Sequence, residues 1–191
     1  MAEPLLDNLR AFAGKVAEPA PGELDAPGAE RLLFVVMHGM TAATAPPMVA
    51  AHAPGEFVEV RSPADLDSWH EVYCEVFGAD PRGRDDWYRV HDALGPSGDT
   101  SLLLLLAIVD GSPAATGGVF YEHEVAGLYC FATREQTRGR GMASALVHLA
   151  HAAARARGIE RALLHATDSG RPVYARAGYR DEQSLPVLRS L

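Results

Sequence analysis

The chain has 191 residues, 48% of them apolar and 22% charged, with a formal net charge of −8. That is enough apolar sequence for one packed domain with an extension. The acidic balance argues against nucleic-acid binding, which relies on cations neutralising phosphates, and the longest apolar run, Leu102 to Val109, is far shorter than the roughly 20 residues a membrane helix needs.

Residues 1–55 differ in character from the rest. Leu5, Leu9, Phe12 and Val16 recur at helical spacing and predict a short amphipathic helix over Pro4 to Val16. Glu18 to Gly28 is rich in Pro, Ala and Gly and reads as a linker. Leu32 to Met37 predicts a strand or buried segment, and Pro46-Pro47 and Pro54-Gly55 bracket another short helical or irregular piece. His38 and His52 stand alone, without a constellation around them. The first ten residues lack the basic start and apolar stretch of a signal peptide. Cys74 and Cys130 are the only cysteines, too few for a disulfide scaffold and without metal-binding spacing. The expectation is a soluble, cytoplasmic protein with two reduced thiols and no metal.

From Glu56 the pattern becomes regular. Phe57 to Arg61 alternates like a strand. Ser62-Pro63 is an N-cap followed by a first-turn proline, opening a helix with Leu66, Trp69, Tyr73 and Phe77 on one stripe and Gly78 as its stop. A second helix is predicted over Arg84 to Leu94, with both tryptophans as core anchors. Leu102 to Val109 reads as a strand covered on both faces. Asp110-Gly111 is a hairpin signal returning into Pro113 to Tyr121, and Val125 to Thr133 is the next strand. An alanine-rich helix ending at Gly158, a strand over Arg161 to Ala166, a short helix over Arg171 to Ala177 and one or two final strands within Tyr179 to Arg189 complete the order β-α-α-β-β-β-α-β-α-β. This is a mixed α/β arrangement with antiparallel strands in the middle.

Between the Val125–Thr133 strand and the alanine-rich helix lies Arg138-Gly139-Arg140-Gly141-Met142-Ala143. Glycines there let backbone N–H groups converge without Cβ atoms in the way. The start of the following helix favours an anion, above all a phosphate, and two arginines add fork-shaped donors against the sign of the whole chain. A Walker A loop is excluded because there is no lysine, and a dinucleotide fingerprint because the third glycine is missing.

Arg138-x-x-Gly141-x-Ala143 resembles the Arg/Gln-x-x-Gly-x-Gly/Ala phosphate motif of the GCN5-related N-acetyltransferase (GNAT) superfamily. Tyr174-Ala-Arg-Ala-Gly178-Tyr179 is similar to that family's downstream Tyr-x-x-x-Gly-Phe/Tyr segment. The resemblance covers Glu56 to Leu191, and His165 to Gly170 looks like bacterial members with an extra N-terminal lobe, of which residues 1–55 would be a reduced remnant. It implies a GNAT domain over 56–191 with a mostly antiparallel mixed sheet and a β-α-β core that binds acetyl-CoA as donor substrate. The pyrophosphate would lie on the backbone of Arg138, Gly139, Arg140, Gly141, Met142 and Ala143, with Arg134 or Arg140 meeting a phosphate. Phe131, Ala132 and Thr133 would bond the pantetheine arm, and Ser169 would contact CoA.

In that reading Tyr174 protonates the departing thiolate. Glu122 and Glu124, at the hairpin before the Val125–Thr133 strand, are candidates for the base side, with His165 and Asp168 as alternatives. The implied activity is acetyl transfer to a primary amine of a small molecule or peptide, with no nucleic-acid or membrane partner and room for a homodimer. A noncatalytic acyl-CoA-binding module, an enzyme using another acyl-CoA, and a nucleotide-binding protein remain open alternatives.

Overall fold

A computed structural model describes residues 32–44 and 53–190, with side chains at 38–44 and 53–182. The helix expected over Pro4 to Val16, the linker, the Pro46-Pro47 segment and His52 lie outside the described residues. Strands run over Leu32–Ala43 (β1), Glu56–Glu59 (β2), Leu102–Val109 (β3), Ser112–Glu122 (β4), Val125–Thr133 (β5), Arg161–Ala166 (β6) and Arg180–Ser190 (β7). Helices run over Pro63–Phe77 (α1), Arg84–Leu94 (α2), Met142–Ala156 (α3) and Arg171–Arg176 (α4). The strands form one sheet in the order β2-β3-β4-β5-β6-β1-β7. All neighbours are antiparallel except β5 and β6, which are parallel with α3 as their crossover. Among the described residues no helix is long and apolar enough to cross a membrane.

The apolar run starting at Leu32 extends further than its composition predicted, to Ala43. It is hydrogen-bonded to β6 on one side and to β7 on the other. The N-terminal region therefore supplies an internal strand of the sheet. The chain after Gly178 forms one strand, since β1 gives it a partner along nearly its whole length.

Local chemistry sets the element ends. Ser62 Oγ accepts from the Asp65 amide at 3.2 Å and the Asp65 carboxylate accepts from the Ser62 amide at 3.0 Å, a reciprocal cap on α1. Gly78 closes the helix in the left-handed conformation that glycine adopts without a Cβ clash. Asp110 and Gly111 both take positive φ, as the two-residue β3–β4 turn requires.

The run in β3 is apolar throughout because both its faces are covered. Leu103 and Leu105 join α3 residues Met142, Leu146 and Ala150 on one face. Leu102, Leu104 and Leu106 join Leu66 and Trp69 of α1 and Trp87 and Val90 of α2 on the other. Each large side chain so buried contributes about 1.5–3 kcal/mol. The two tryptophan rings meet at 4.7 Å between centroids, so both anchor the core.

Candidate active site

β5 and β6 are paired only from Val125↔Arg161 to Leu128↔Leu164. Beyond that point β5 continues to Thr133 and β6 to Ala166 without bonding to each other, and a wedge opens between them. A bulge in β5 accompanies the parting. Gly118 pairs with Tyr129 but Thr116 with Ala132, so β5 holds one residue more than β4 over this stretch. Cys130 adopts φ 58°, a left-handed conformation that costs an L residue roughly 1–2 kcal/mol.

Neighbouring residues hold the bulge. Thr116 Oγ1 donates to the Cys130 carbonyl at 2.9 Å. Trp69 Nε1 donates to the Gly117 carbonyl at 3.2 Å. A Cβ on Gly117 would stand 2.9 Å from the Phe131 ring, so glycine there makes room for that ring. Sequence reasoning missed this clamp, although a Gly-Gly pair inside a strand is itself a sign of a bulge or close approach.

Past the bulge, the Arg134 amide bonds the Ala114 carbonyl on β4. Strand alternation then turns the main-chain groups of Phe131 and Thr133 towards the wedge, and those of Ala132 towards β4. The next turn, Glu135–Thr137, is pinned by the Thr137 hydroxyl to the Ala114 and Arg134 carbonyls. Arg138 Nε donates to the Thr133 carbonyl at 3.2 Å, while Arg138, Gly139 and Arg140 are exposed. Gly141, the N-cap of α3, has φ 86° and offers no side-chain cap. The first helical bond runs from the Ala145 amide to the Gly141 carbonyl, which leaves the amides of Met142, Ala143 and Ser144 outside the helical ladder. The loop thus ends in a bare helix N-terminus at the mouth of the wedge, where an anion is favoured.

Arg134 does not belong to this cradle. Its guanidinium is buried against α1, 2.5 Å from Glu71 and 2.8 Å from Glu75, and donates to the Pro113 carbonyl. The expected phosphate contact at Arg134 is therefore corrected to a structural tie between β5 and α1.

α4 brings Tyr174 to the wedge from the α3 side. Its ring meets Phe131 edge-on at 6.4 Å and Tyr179 at 5.9 Å. Its hydroxyl has no protein hydrogen-bond partner among the described residues, and burial with Cys130 nearby raises its pKa, so the phenol stays protonated. Burial likewise pushes the Cys130 thiol up to about 12. Ser169 is exposed with its Oγ 3.1 Å from Thr167 Oγ1, and it is Thr167 that accepts from the Gly170 amide ahead of α4.

Glu122 and Glu124 are placed elsewhere. Glu122 pairs with Val125 at the start of β5, and Glu124 is exposed in the turn. Five residues of strand, roughly 16 Å, separate that turn from Cys130, so the structure does not bring these carboxylates to Tyr174. His123 faces solvent, 3.7 Å from Glu122. Asp168 is bonded to His38 of β1 at 2.7 Å.

A family model described as the acetyltransferase (GNAT) family matches residues 66–179. No curated protein sequence matches the chain. Among solved structures, a GCN5-related N-acetyltransferase from Sphaerobacter thermophilus is similar at TM-score 0.65 and 20% identity, over 83% of this chain and 52% of that one. One from Kribbella flavida gives 0.58 and 17%, over 89% and 64%. A predicted acetyltransferase from Clostridium acetobutylicum, solved with acetyl-CoA, gives 0.56 and 18%, over 67% and 91%. This chain thus spans less than two thirds of the first two.

Proposed function

The chain belongs to the GNAT acetyltransferase family, and from that premise we propose that it moves the acetyl group of acetyl-CoA to a primary amine by direct attack. One observation carries the reading. The wedge between β5 and β6, the uncapped start of α3 and the unpartnered phenol of Tyr174 converge on the same opening. A long anionic thioester suits such a place. Its pyrophosphate would rest on the amides after Gly141 with Arg138 and Arg140 beside it. Its pantetheine arm would bond the main chain of Phe131 and Thr133 as a strand would, with Ala132 holding β5 to β4 behind it.

In the chemical step the amine nitrogen bonds the carbonyl carbon, the carbon–sulfur bond breaks, the thiolate takes a proton from Tyr174, and the proton the nitrogen loses restores the phenol. The developing oxyanion would be met by a main-chain N–H of the wedge. The net negative charge of the chain favours encounter with cationic amines.

The test is thiol release from acetyl-CoA with spermidine, an aminoglycoside and a lysine peptide, beside calorimetric titration of acetyl-CoA alone. Tyr174→Phe should lower kcat by about 100-fold with the acetyl-CoA Kd unchanged. Binding without release in the wild type would reduce the protein to an acyl-CoA-binding module.

A further inference from the structure

β6 presents one side chain that its surroundings do not explain. Both ring nitrogens of His165 are buried and have no hydrogen-bond partner among the described residues. Leaving such groups unsatisfied costs about 1–3 kcal/mol each, so a purely structural residue there would be better as leucine. His165 follows Leu164, the last β6 residue paired with β5, and its main-chain neighbour on the other side is Gly39 of β1. The imidazole therefore stands where the wedge opens, beside a residue without a side chain.

The face it occupies follows from strand alternation. Ala162, Leu164 and Ala166 pack with α3, so His165 projects from the opposite face. On β5, Leu128 packs with α3 while Tyr129 and Cys130 pack towards the core of α1 and α2. Tyr174 and Phe131 lie on the α3 side. Tyr174 and His165 thus flank the same opening from opposite faces of the sheet.

Resting on the acetyltransfer reading, we propose that His165 is the catalytic base that receives the proton of the attacking amine, on the side of the thioester opposite Tyr174. One ring nitrogen takes a proton from the ammonium group and passes it to solvent. The freed lone pair bonds the carbonyl carbon, the sulfur leaves with the proton of Tyr174, and the second proton lost by the nitrogen restores the phenol. The sum is amide, free CoA thiol and one proton. Burial lowers the His165 pKa, which keeps the ring neutral in the resting protein. The titratable groups of β5 on that face, Tyr129 and Cys130, are held protonated and uncharged by burial, and β1 places Gly39 opposite His165. This assignment gives the base role to a residue at the wedge, where Glu122 and Glu124 are not.

The experiment uses the full chain and its His165→Ala and His165→Leu variants, with acetyl-CoA and the three amines named above. Both variants should keep the wild-type acetyl-CoA Kd, and His165→Leu should unfold at the same temperature or higher. Both should lose about 100-fold in kcat/KM for the amine, and millimolar imidazole should restore His165→Ala but not His165→Leu. Unchanged turnover in the variants, or loss of turnover together with acetyl-CoA affinity and stability, overturns the assignment. Wild-type protein that releases no thiol with any of the amines overturns the acetyltransfer reading itself, and this assignment with it.

Discussion

The Thr116 hydroxyl donates to the Cys130 carbonyl at 2.9 Å, fastening β4 to the one residue of β5 that takes a left-handed backbone. Thr116 is fully buried, so its hydroxyl has no water to turn to. The bond links a strained residue to the opening that strain helps create: where β5 bulges, it stops pairing with β6.

Thr116→Val should therefore cost about 1 kcal/mol by leaving a partly buried carbonyl without its donor, and should weaken acetyl-CoA binding as the bulge relaxes. Thr116→Ser keeps the donor and should retain affinity. Urea unfolding and calorimetric titration on the two variants check this.

The three arginines around the loop should separate by phenotype. Arg134→Ala removes a buried cation from between Glu71 and Glu75 and should destabilise by about 1–3 kcal/mol, with both carboxylates partly exposed and able to rehydrate. Its KM for acetyl-CoA should stay near the wild-type value. Arg138→Ala and Arg140→Ala, on exposed side chains, should leave the melting temperature unchanged and raise that KM several-fold.

Gly141→Val should abolish acetyl-CoA binding. With φ at 86°, a β-branched residue is strained by its torsion, while its Cβ would meet Ala53 only at an ordinary 3.6 Å. The helix start that presents the amides of Met142 and Ala143 would have to reorganise. Normal affinity in a titration would disprove the cradle.

Stability should fall on mild acidification, before the carboxylates titrate. His151 is buried on α3, 2.7 Å from the Tyr179 hydroxyl, and burial, with His148 adding, lowers its pKa to about 4. Its folded pKa lies below the unfolded value of about 6.5, so its contribution is present above pH 6.5 and lost as the pH falls from there through 4. Asp65 and Asp67 are also depressed, from 3.8 downwards, and act only at lower pH. His151→Gln should flatten the stability profile between pH 7 and 4.5 in urea titrations.

Much of the fold could be read along the chain because its signals are local. Ser62-Pro63 and Gly78 bound α1, Asp110-Gly111 turns β3 into β4, and the doubly apolar run of β3 announces a strand covered on both sides. The Arg138–Ala143 motif marks a helix start with free amides, since torsion freedom and missing side chains are properties of the residues themselves.

Other features depend on which strand lies beside which, and no short window of sequence carries that. Only the packed sheet placed β1 between β6 and β7, committed Arg134 to Glu71 and Glu75, and set Glu122 and Glu124 roughly 16 Å of strand away from Cys130. His165 shows the difference most sharply. In sequence it is one histidine in an apolar strand, and what makes it exceptional is that pairing stops one residue before it. The amino-acid order determined that α3 starts on a glycine, with no side chain to cap its first amides. Long-range strand pairing decided which side chains face the opening beside it.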